Sequence, residues 1–278
     1  MTILRSPSEM RAWADEQHRA GRTIGFAPTM GALHEGHASL MRAAAEQNDV
    51  SVVSIFVNPT QFAPNEDLDK YPRTFEADCA LAESIGMDVV YAPTARAMYP
   101  EGYATYVNVE RVTQRLCGAS RPTFFRGVGT VVTKLFNAVR PDRAYFGQKD
   151  AQQAAVIRRM TRDLDLGIEI VEMPIVREPD GLAMSSRNRY LDAEERSRAL
   201  CLSQALAAAQ GLLEAGERDA ARIVEAVRQG MAEVDIDYVE LVDAETIERV
   251  ARVEGTVLLA VAAQVGPARL IDNIKFTA

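Results

Sequence analysis

Cysteine, histidine and tryptophan are scarce in this chain of 278 residues, which contains three cysteines, three histidines and one tryptophan. The cysteines stand far apart, at Cys79, Cys117 and Cys201, and none belongs to a Cys-x-x-Cys pair. This spacing argues against a disulfide framework and against a zinc site made of thiolates. We therefore expect the protein to work in a reducing compartment, the cytoplasm.

Long apolar runs and an excess of positive charge are also lacking. The longest apolar run covers residues 257–263, whereas a bilayer-spanning helix needs roughly 20 residues. The first 17 residues carry five charged side chains and no apolar stretch, so no secretory signal is expected. Lys and Arg total 31 against 39 Asp and Glu, a net charge of −8 that repels phosphate backbones and anionic membranes. We expect neither nucleic acid nor a membrane as a partner.

The remaining composition is that of a globular protein, with 47% hydrophobic and 25% charged residues. A length of 278 residues favours two domains over one. In residues 1–175, short β-branched runs alternate with helical patterns, which predicts an α/β fold with a doubly wound, Rossmann-like parallel sheet. The predicted strands are 23–27, 50–57, 88–91, 144–146 and 168–172, and the predicted helices are 38–47, 74–85, 128–139 and 151–163.

The pattern changes after Pro174, and we place a domain boundary near residue 176. Two helices, 191–215 and 220–233, precede three short strands at 238–242, 256–261 and 270–274. Helices followed by a run of strands predict a smaller α+β domain over residues 176–278.

Two of the three histidines, His34 and His37, lie between the first predicted strand and the first predicted helix. Gly31 and Gly36 flank them and would let backbone approach a ligand, while a helix beginning near Gly36 would direct N–H groups at an anion. The spacing does not match the His-Glu-x-x-His of zinc proteases, and no third ligand is evident, so we disfavour a zinc site. An anion site fits better.

Three further segments carry polar groups at predicted strand ends or in loops. Residues 147–150 place a lysine and an aspartate before a helix, a pattern suited to phosphate and ribose. Residues 184–188 form a loop rich in donors that suits a polyphosphate. Residues 58–62 place uncharged amides after a buried strand, which favours a small polar substrate. Each segment alone is also compatible with an ordinary turn or helix cap.

Together these segments resemble the pantothenate synthetase family. The resemblance rests on residues 28–37, 58–74, 125–128, 133–136, 147–153 and 184–188, and is strong over residues 20–192 and weak over the last 85. The second of these ranges, residues 58–74, is the second family block and includes Asn65, Glu66 and Asp67. Residues 184–187 are similar to the Lys-Met-Ser-Lys-Ser-like loop of nucleotidyltransferases that also carry His-x-Gly-His.

The resemblance implies an ATP-dependent ligase that uses Mg²⁺ and joins pantoate to β-alanine through a pantoyl adenylate, releasing AMP and pyrophosphate. It also implies a homodimer. Mg²⁺ would be bound through the ATP phosphates, with no protein ligand assigned.

The same resemblance implies the roles of individual residues. His37, as proton donor, and His34, Lys149 and Arg187 would be catalytic. Gln61 and Gln153 would hold pantoate, and Gln61 and Asn58 would contact β-alanine. The residues implied to contact ATP are Met30, Gly31, Ala32, Leu33, His34, Glu35, Gly36, His37, Gly147, Gln148, Lys149, Asp150, Val176, Met184, Ser185, Ser186 and Arg187.

The chain departs from the family pattern at two positions. Phe124 stands where the family usually has histidine before Phe-Arg-Gly, and Cys117 stands where many members have glutamate before glycine. Neither lies in the set implied to bind phosphates, so we expect activity to be retained.

Three other interpretations remain. A different nucleotidyltransferase would not need the amides of residues 58–62 and 152–153. A nucleotide sensor without chemistry is disfavoured by the intact set of histidines, Lys149 and Arg187. A fragment of an aminoacyl-tRNA synthetase is disfavoured by the acidic balance and the lack of a basic face.

Overall fold

The computed structural model describes residues 1–63, 68–69 and 71–278. The chain divides into two compact units, which are described separately. Unit 1 consists of Met1–Val109, Thr123–Gly147 and Val156–Met173. Unit 2 consists of Glu110–Pro122, Gln148–Ala155 and Pro174–Ala278.

Unit 1 is built on a parallel sheet of six strands in the order β1-β4-β3-β2-β5-β6. The strands are β1 (Thr2–Leu4), β2 (Ile24–Thr29), β3 (Val50–Ile55), β4 (Val89–Tyr91), β5 (Arg143–Gly147) and β6 (Glu169–Met173). The chain moves from β2 outward through β3 and β4, and then returns to place β5 on the other side of β2. The strand order therefore reverses between β2 and β5, and ligands bind at the carboxyl ends of strands at such a point.

The helices begin and end at recognisable signals. They are α1 (Pro7–Arg19), α2 (Glu35–Glu46), α3 (Phe75–Ile85), α4 (Ala95–Met98), α5 (Cys117–Ser120), α6 (Phe124–Val139), α7 (Ala151–Asp163), α8 (Ala193–Glu214) and α9 (Ala220–Gly230). Helix α1 begins with a capping box between Ser6 and Glu9. Helix α3 ends at Gly86, whose φ of 91° is a left-handed conformation that costs glycine little.

The core of unit 1 consists of the buried faces of the sheet and its helices. Phe136 of α6 packs edge-on against Phe26 of β2 and Phe146 of β5, with ring centroids 6.4 Å apart in both pairs. Helix α2 buries Ala38, Met41 and other side chains against the sheet. Because β2 and β5 are packed against α6 in this way, the ends of these two strands, where the following loops begin, are held in position.

Unit 2 contains a separate antiparallel sheet in the order β7-β8-β9. Its strands are β7 (Asp235–Asp243), β8 (Thr256–Val265) and β9 (Ala268–Thr277). Helix α8 starts with a capping box between Asp192 and Glu195. Apolar side chains of α8 and α9 form one buried cluster with those of the sheet.

The predicted fold class, a doubly wound parallel sheet followed by a smaller α+β region, is confirmed. Strand β1 was not predicted, because three residues are too few to show a periodic pattern. The strands of unit 2 are longer than predicted. The predicted division into domains 1–175 and 176–278 stays a prediction.

None of the helices among the described residues combines the length and the apolar character that a membrane span requires.

Candidate active site

The loop after β2 turns sharply at Gly31 and Ala32. Gly31 has a φ of +87°, and a Cβ there would lie 3.0 Å from Oδ2 of Asp78 and 3.1 Å from Cγ2 of Ile55. Ala32 also has a positive φ, 50°. Both the backbone angle and the space therefore favour glycine at position 31, and the turn carries the chain to the histidines.

Asp78 of α3 holds this loop in place. Its carboxylate accepts hydrogen bonds from the backbone N–H of Ala32 (3.0 Å) and of Leu33 (2.8 Å), and from the hydroxyl of Thr74 (3.1 Å). The side chain is buried, and each of its oxygens has a donor. Asp78 was not predicted as a functional residue. Its only sequence signal is its position in the first turn of a helix.

The two histidines lie together at the N-terminus of α2. Their ring centroids are 4.0 Å apart, and Nδ1 of His37 accepts a hydrogen bond of 3.3 Å from the backbone N–H of His34. A neutral His37 with an accepting Nδ1 carries its proton on Nε2. A Cβ at Gly36 would come within 3.0 Å of the His34 ring, so glycine permits this stacking. The pair therefore presents a defined donor beside the positive end of a helix dipole.

Glu35 also belongs to the first turn of α2, and its carboxylate pairs with the guanidinium of Arg42 about two turns later. Hydrogen bonding by Arg42 lowers the pKa of Glu35 below its ordinary value. The Glu35 carboxylate is thus ionised and paired with a cation of its own helix.

Asn58 and Gln61 follow β3, in and before a 3-10 turn over Pro59–Gln61. Nδ2 of Asn58 donates to Oε1 of Gln61 (3.0 Å) and to the carbonyl of Gly127 (3.2 Å). Both side chains are buried, at 1% and 8% exposure. The bond between the two amides fixes which end of the Gln61 side chain faces Asn58.

A tyrosine that the sequence did not reveal completes this network. The hydroxyl of Tyr99 donates to Oδ1 of Asn58 at 2.8 Å, and the same oxygen accepts from the hydroxyl of Thr60 at 3.0 Å. Desolvation by burial raises the pKa of Tyr99 to about 12. Tyr99 therefore remains a protonated donor at neutral pH. No motif marks residue 99, and only the fold brings it to Asn58.

Aromatic and basic side chains extend from Tyr99 across unit 1. The Tyr99 and Tyr103 rings meet edge-on with centroids 5.1 Å apart, and Nζ of Lys134 lies 4.8 Å from the Tyr103 centroid. Desolvation lowers the pKa of Lys134. These contacts pack the Tyr99 ring against Tyr103.

In unit 2, Lys149 lies in a 3-10 turn, Gln148–Asp150, just before α7. Its side chain is partly exposed, and within the described part of the chain it makes neither an ion pair nor a side-chain hydrogen bond. Asp150 is exposed. A lysine in such a position is a mobile cation that is available to a phosphate.

The two glutamines at the start of α7 differ in their surroundings. Gln152 is buried, and its Nε2 donates to the carbonyls of Val112 (3.0 Å) and Arg115 (2.7 Å). Gln153 is partly exposed. Gln152 therefore holds the segment 110–122, whereas Gln153 retains the accessibility that a substrate contact requires.

The loop of residues 184–188, which contains Ser185 and Ser186, is hydrogen-bonded to the preceding segment at Val176. Met184 donates its backbone N–H to the carbonyl of Val176 at 3.0 Å. The hydroxyl of Ser185 caps a 3-10 turn, Ser186–Tyr190, by accepting from the N–H of Arg187 at 3.2 Å. Val176 and Met184 are thus neighbours.

Several predicted site residues are brought together within each unit. In unit 1 these are the residues of the loop after β2, the histidine pair, and the pair Asn58 and Gln61. In unit 2 they are Val176 with Met184. Asn65, Glu66 and Asp67 of the second family block lie outside the described residues.

The two departures from the family pattern have ordinary surroundings. The ring of Phe124 packs edge-on against Phe125 at the start of α6, with centroids 5.0 Å apart. Burial raises the pKa of the Cys117 thiol, so it is protonated at neutral pH. Neither side chain is a charged group.

The chain is similar to known proteins over nearly its whole length. The family model described as pantoate-beta-alanine ligase matches residues 2–275. A pantothenate synthetase of Heliobacterium modesticaldum is 59% identical over 277 residues, which cover 99% of each chain. Another, from Thermotoga petrophila, is 56% identical over 276 residues, covering 98% of this chain and 99% of the relative.

Solved structures give the same result. The crystal structure of pantothenate synthetase from Thermus thermophilus superposes with a TM-score of 0.93 at 43% identity, covering 99% of both chains. The pantoate-beta-alanine ligase of Francisella tularensis, complexed with beta-gamma ATP and beta-alanine, has a TM-score of 0.79 at 31% identity and covers 99% of this chain and 97% of that chain. This chain therefore belongs to the pantothenate synthetase family, the ligases that condense pantoate with β-alanine.

Proposed function

We propose that this chain uses ATP to activate pantoate as pantoyl adenylate and then transfers the pantoyl group to β-alanine, releasing pyrophosphate and AMP. The observation that carries the proposal is the histidine pair on the first turn of α2, directly after the central strand β2. The crystal structure of the Francisella tularensis relative is complexed with beta-gamma ATP and beta-alanine, which supports the same substrates here.

The first step joins two anions and therefore needs positive charge and hydrogen-bond donors. A carboxylate oxygen of pantoate attacks the α-phosphorus of ATP, and the bond between the α-phosphorus and its bridging oxygen breaks. Negative charge then develops on the leaving pyrophosphate. We assign its stabilisation to Lys149, Arg187 and the histidine pair. Nε2 of a neutral His37 carries the proton, which makes His37 the proposed proton donor.

The remaining ATP contacts are proposed residue by residue. The turn after β2 and the first turn of α2 carry N–H groups that suit phosphate oxygens. Gly147, at the end of β5, is also proposed to contact ATP. The same is proposed for Gln148, Asp150, Val176 and the loop of residues 184–187.

In the second step the amine of β-alanine attacks the acyl carbon, and the bond from that carbon to the phosphate oxygen breaks, so AMP leaves with the oxygen. We propose that Gln61 and Gln153 hold pantoate through neutral amides, which suit its hydroxyl and carboxylate groups. Gln61 and Asn58 are proposed to form the β-alanine side of the site. Asn58 would act there chiefly by orienting Gln61, because both donors of its amide are bonded to protein.

Mg²⁺ is proposed to arrive on the phosphates of ATP. Among residues 1–63, 68–69 and 71–278, no group of three or more His, Cys, Asp or Glu side chains is placed to hold a metal ion. When bound to the phosphates, Mg²⁺ would neutralise part of their charge. A homodimer in the cytoplasm is also proposed, on the basis of the family resemblance and of the three widely spaced cysteines, which form no disulfide among the described residues.

The adenylate mechanism is tested by tracing the carboxylate oxygens of pantoate into the products. Pantoate labelled with ¹⁸O in its carboxylate is incubated with ATP, Mg²⁺ and β-alanine, and the products are analysed by mass spectrometry. One labelled oxygen should appear in AMP, because the second step leaves that oxygen on phosphorus. ADP with label in inorganic phosphate would instead show attack on the γ-phosphorus and would refute the adenylate. Reactions that lack pantoate or β-alanine are the controls.

A further inference from the structure

Asn273 of β9 is bonded to the turn that carries Lys149. Its Nδ2 donates to the backbone carbonyls of Gln148 and Lys149, each at 3.0 Å, and its Oδ1 accepts from Nε2 of Gln148 at 3.3 Å. Asn273 is 3% exposed. One buried amide therefore makes three bonds to two consecutive residues, which fixes the backbone from which the Lys149 side chain extends.

Asp272, the residue before Asn273, is bonded to Arg177, which lies just before the loop of residues 184–187. Its carboxylate forms a two-pronged pair with Arg177, in which Nη1 lies 2.7 Å from Oδ2 and Nη2 lies 3.1 Å from Oδ1. The Asp272 side chain is only 2% exposed, and Oδ1 also accepts the backbone N–H of Asn273 at 2.8 Å. Such paired, charge-assisted bonds restrict the guanidinium in both position and orientation.

Arg177 transmits this restraint to the loop with two serines. Its Nη1 also donates to the carbonyl of Gly181 at 3.1 Å, and Arg177 forms an antiparallel bridge with Ala183. The adjacent residues, Val176 and Met184, are joined by a backbone hydrogen bond. Asp272 thus holds the base of the loop whose residues 184–187 are assigned to ATP.

We propose that Asp272 and Asn273 are positioning residues that hold both ATP-binding segments of unit 2 from a single point on β9. The inference rests on the proposed function. Consecutive side chains of a strand point to opposite faces, so neighbouring residues can bind two different segments. Neither side chain is assigned a contact with substrate. They act through Lys149 and through the loop of residues 184–187.

The proposal predicts a specific pattern of loss. An Asn273→Asp change keeps the shape of the side chain but replaces the donor with a carboxylate that faces two carbonyls. We expect kcat/KM for ATP to fall about 10- to 100-fold, the scale that misplacing a catalytic group by about 1 Å produces. The dissociation constant of pantoate measured without nucleotide should stay within about twofold, since a displaced lysine affects the phosphates.

A double-mutant cycle distinguishes positioning from a general structural role. Asn273→Asp, Lys149→Ala and the double variant are compared in steady-state assays and in calorimetric titrations with an ATP analogue. If Asn273 acts through Lys149, the double variant should be no slower than Lys149→Ala alone. Losses that multiply would overturn the proposal. Asn273→Ala replaces Asn273→Asp in the cycle if its thermal midpoint stays closer to that of the parent protein.

The matched control is Gln264→Glu, in the same β8–β9 hairpin. It also removes an amide donor to a backbone carbonyl, here that of Gly266 at 2.8 Å, but at the turn of the hairpin. Its kinetics should equal those of the parent protein. Equal losses in Gln264→Glu and Asn273→Asp would show that any damage to the hairpin suffices, and would also overturn the proposal.

A separate experiment tests whether Asp272 supports ATP binding through Arg177. Asp272→Asn retains the shape of the side chain and removes the charge that holds Arg177, so the affinity for the ATP analogue should fall while that for pantoate does not. Unchanged ATP affinity would contradict the assignment of Asp272. A parent protein that binds ATP and pantoate but forms no AMP would refute the proposed function instead, and the binding measurements would still test the positioning role.

Discussion

At the scale of single residues, Asn58 shows how a buried amide can organise a site. Both of its N–H donors are bonded to protein, and its Oδ1 accepts from Thr60 and Tyr99. An amide engaged in this way has one orientation, because exchanging its nitrogen and oxygen would oppose donors to donors. That orientation is passed to Gln61, so the chemistry of the amide pair depends on residues outside it.

The hydrogen bonds around Asn58 can be tested by removing a single hydroxyl, that of Tyr99. Tyr99→Phe deletes the donor to Asn58 and keeps the ring that contacts Tyr103. We expect the KM for pantoate to rise about three- to tenfold, in line with the roughly 0.5–1.5 kcal/mol of one hydrogen bond. Calorimetry should show unchanged affinity for an ATP analogue. Tyr103→Phe, which removes a hydroxyl from the neighbouring ring, is the control and should leave both values unchanged.

Lys149 is expected to contribute much to turnover and little to stability, because its side chain has no ion pair among the described residues. Lys149→Ala should lower kcat/KM about 100- to 1000-fold, the usual effect of removing a group that stabilises charge in the transition state. Pyrophosphate release measures the loss, and urea unfolding should give a free energy close to that of the parent protein. Lys275→Ala on β9 serves as the control lysine. More than half of normal activity in Lys149→Ala would contradict the role.

At the scale of elements, the position of the Pro59–Gln61 turn depends on a glycine in α6. A Cβ at Gly127 would lie 2.2 Å from the carbonyl oxygen of Thr60 and 3.0 Å from the backbone nitrogen of Gln61. The carbonyl of Gly127 also accepts from Asn58. The helix and the turn therefore approach each other at a distance that any side chain would prevent.

Gly127→Ala is expected to displace the turn and with it Gln61. Alanine favours helix, so an exposed glycine replaced within a helix would gain up to about 1 kcal/mol. Here the contact with Thr60 should reverse that sign and destabilise the protein by about 1–3 kcal/mol, the typical cost of overpacking. Urea unfolding measures the change, and the KM for pantoate should rise in parallel.

Gly211→Ala in α8 is the matched control, because a Cβ at Gly211 meets no atom within 4 Å. Its stability should be equal to or above that of the parent protein. If Gly127→Ala were as stable as Gly211→Ala and bound pantoate normally, the close approach of α6 and the turn would have no functional role.

At the scale of the whole molecule, the buried phenol of Tyr91 and the partly buried thiol of Cys201 are expected to make stability depend on pH. Desolvation raises the pKa of Tyr91 to about 12 from 10.0, and that of Cys201 to about 11 from 9.0. Groups whose pKa is raised in the folded state bind protons more tightly there than in the unfolded chain. Their contribution to stability is complete below the unfolded pKa, and it is lost as pH rises through the folded value.

We therefore expect the free energy of unfolding to fall above about pH 9, first through Cys201 and then through Tyr91, by up to about 1.4 kcal/mol per pKa unit. Urea titrations at about pH 8, 9.5 and 11 would measure the decline. Tyr91→Phe and Cys201→Ala should each make it less steep. An unchanged slope in both variants would show that these groups do not control alkaline stability.

More of the fold than of the site could be predicted from the sequence. The alternation of strands and helices predicted the parallel sheet, and most boundaries lie within a few residues of those observed; for example, 151–163 matches α7. The glycines at positions 31 and 36 were predicted to let backbone approach a ligand, which stays a prediction; a Cβ at either position would contact atoms of the protein itself. The assignments of His37, Lys149, Arg187 and the glutamines to particular substrates stay predictions.

What the sequence determined by itself are features that depend on residues close together in the chain. These are the periodicity of strands and helices and the cluster of two histidines within four residues. The tertiary structure alone decided which distant residues support them. Asp78 reaches the loop after β2, Tyr99 reaches Asn58, and Asn273 reaches Lys149. Hydrogen bonds between distant residues leave no periodic signal, because they depend on strand order and helix packing, which only the folded chain defines.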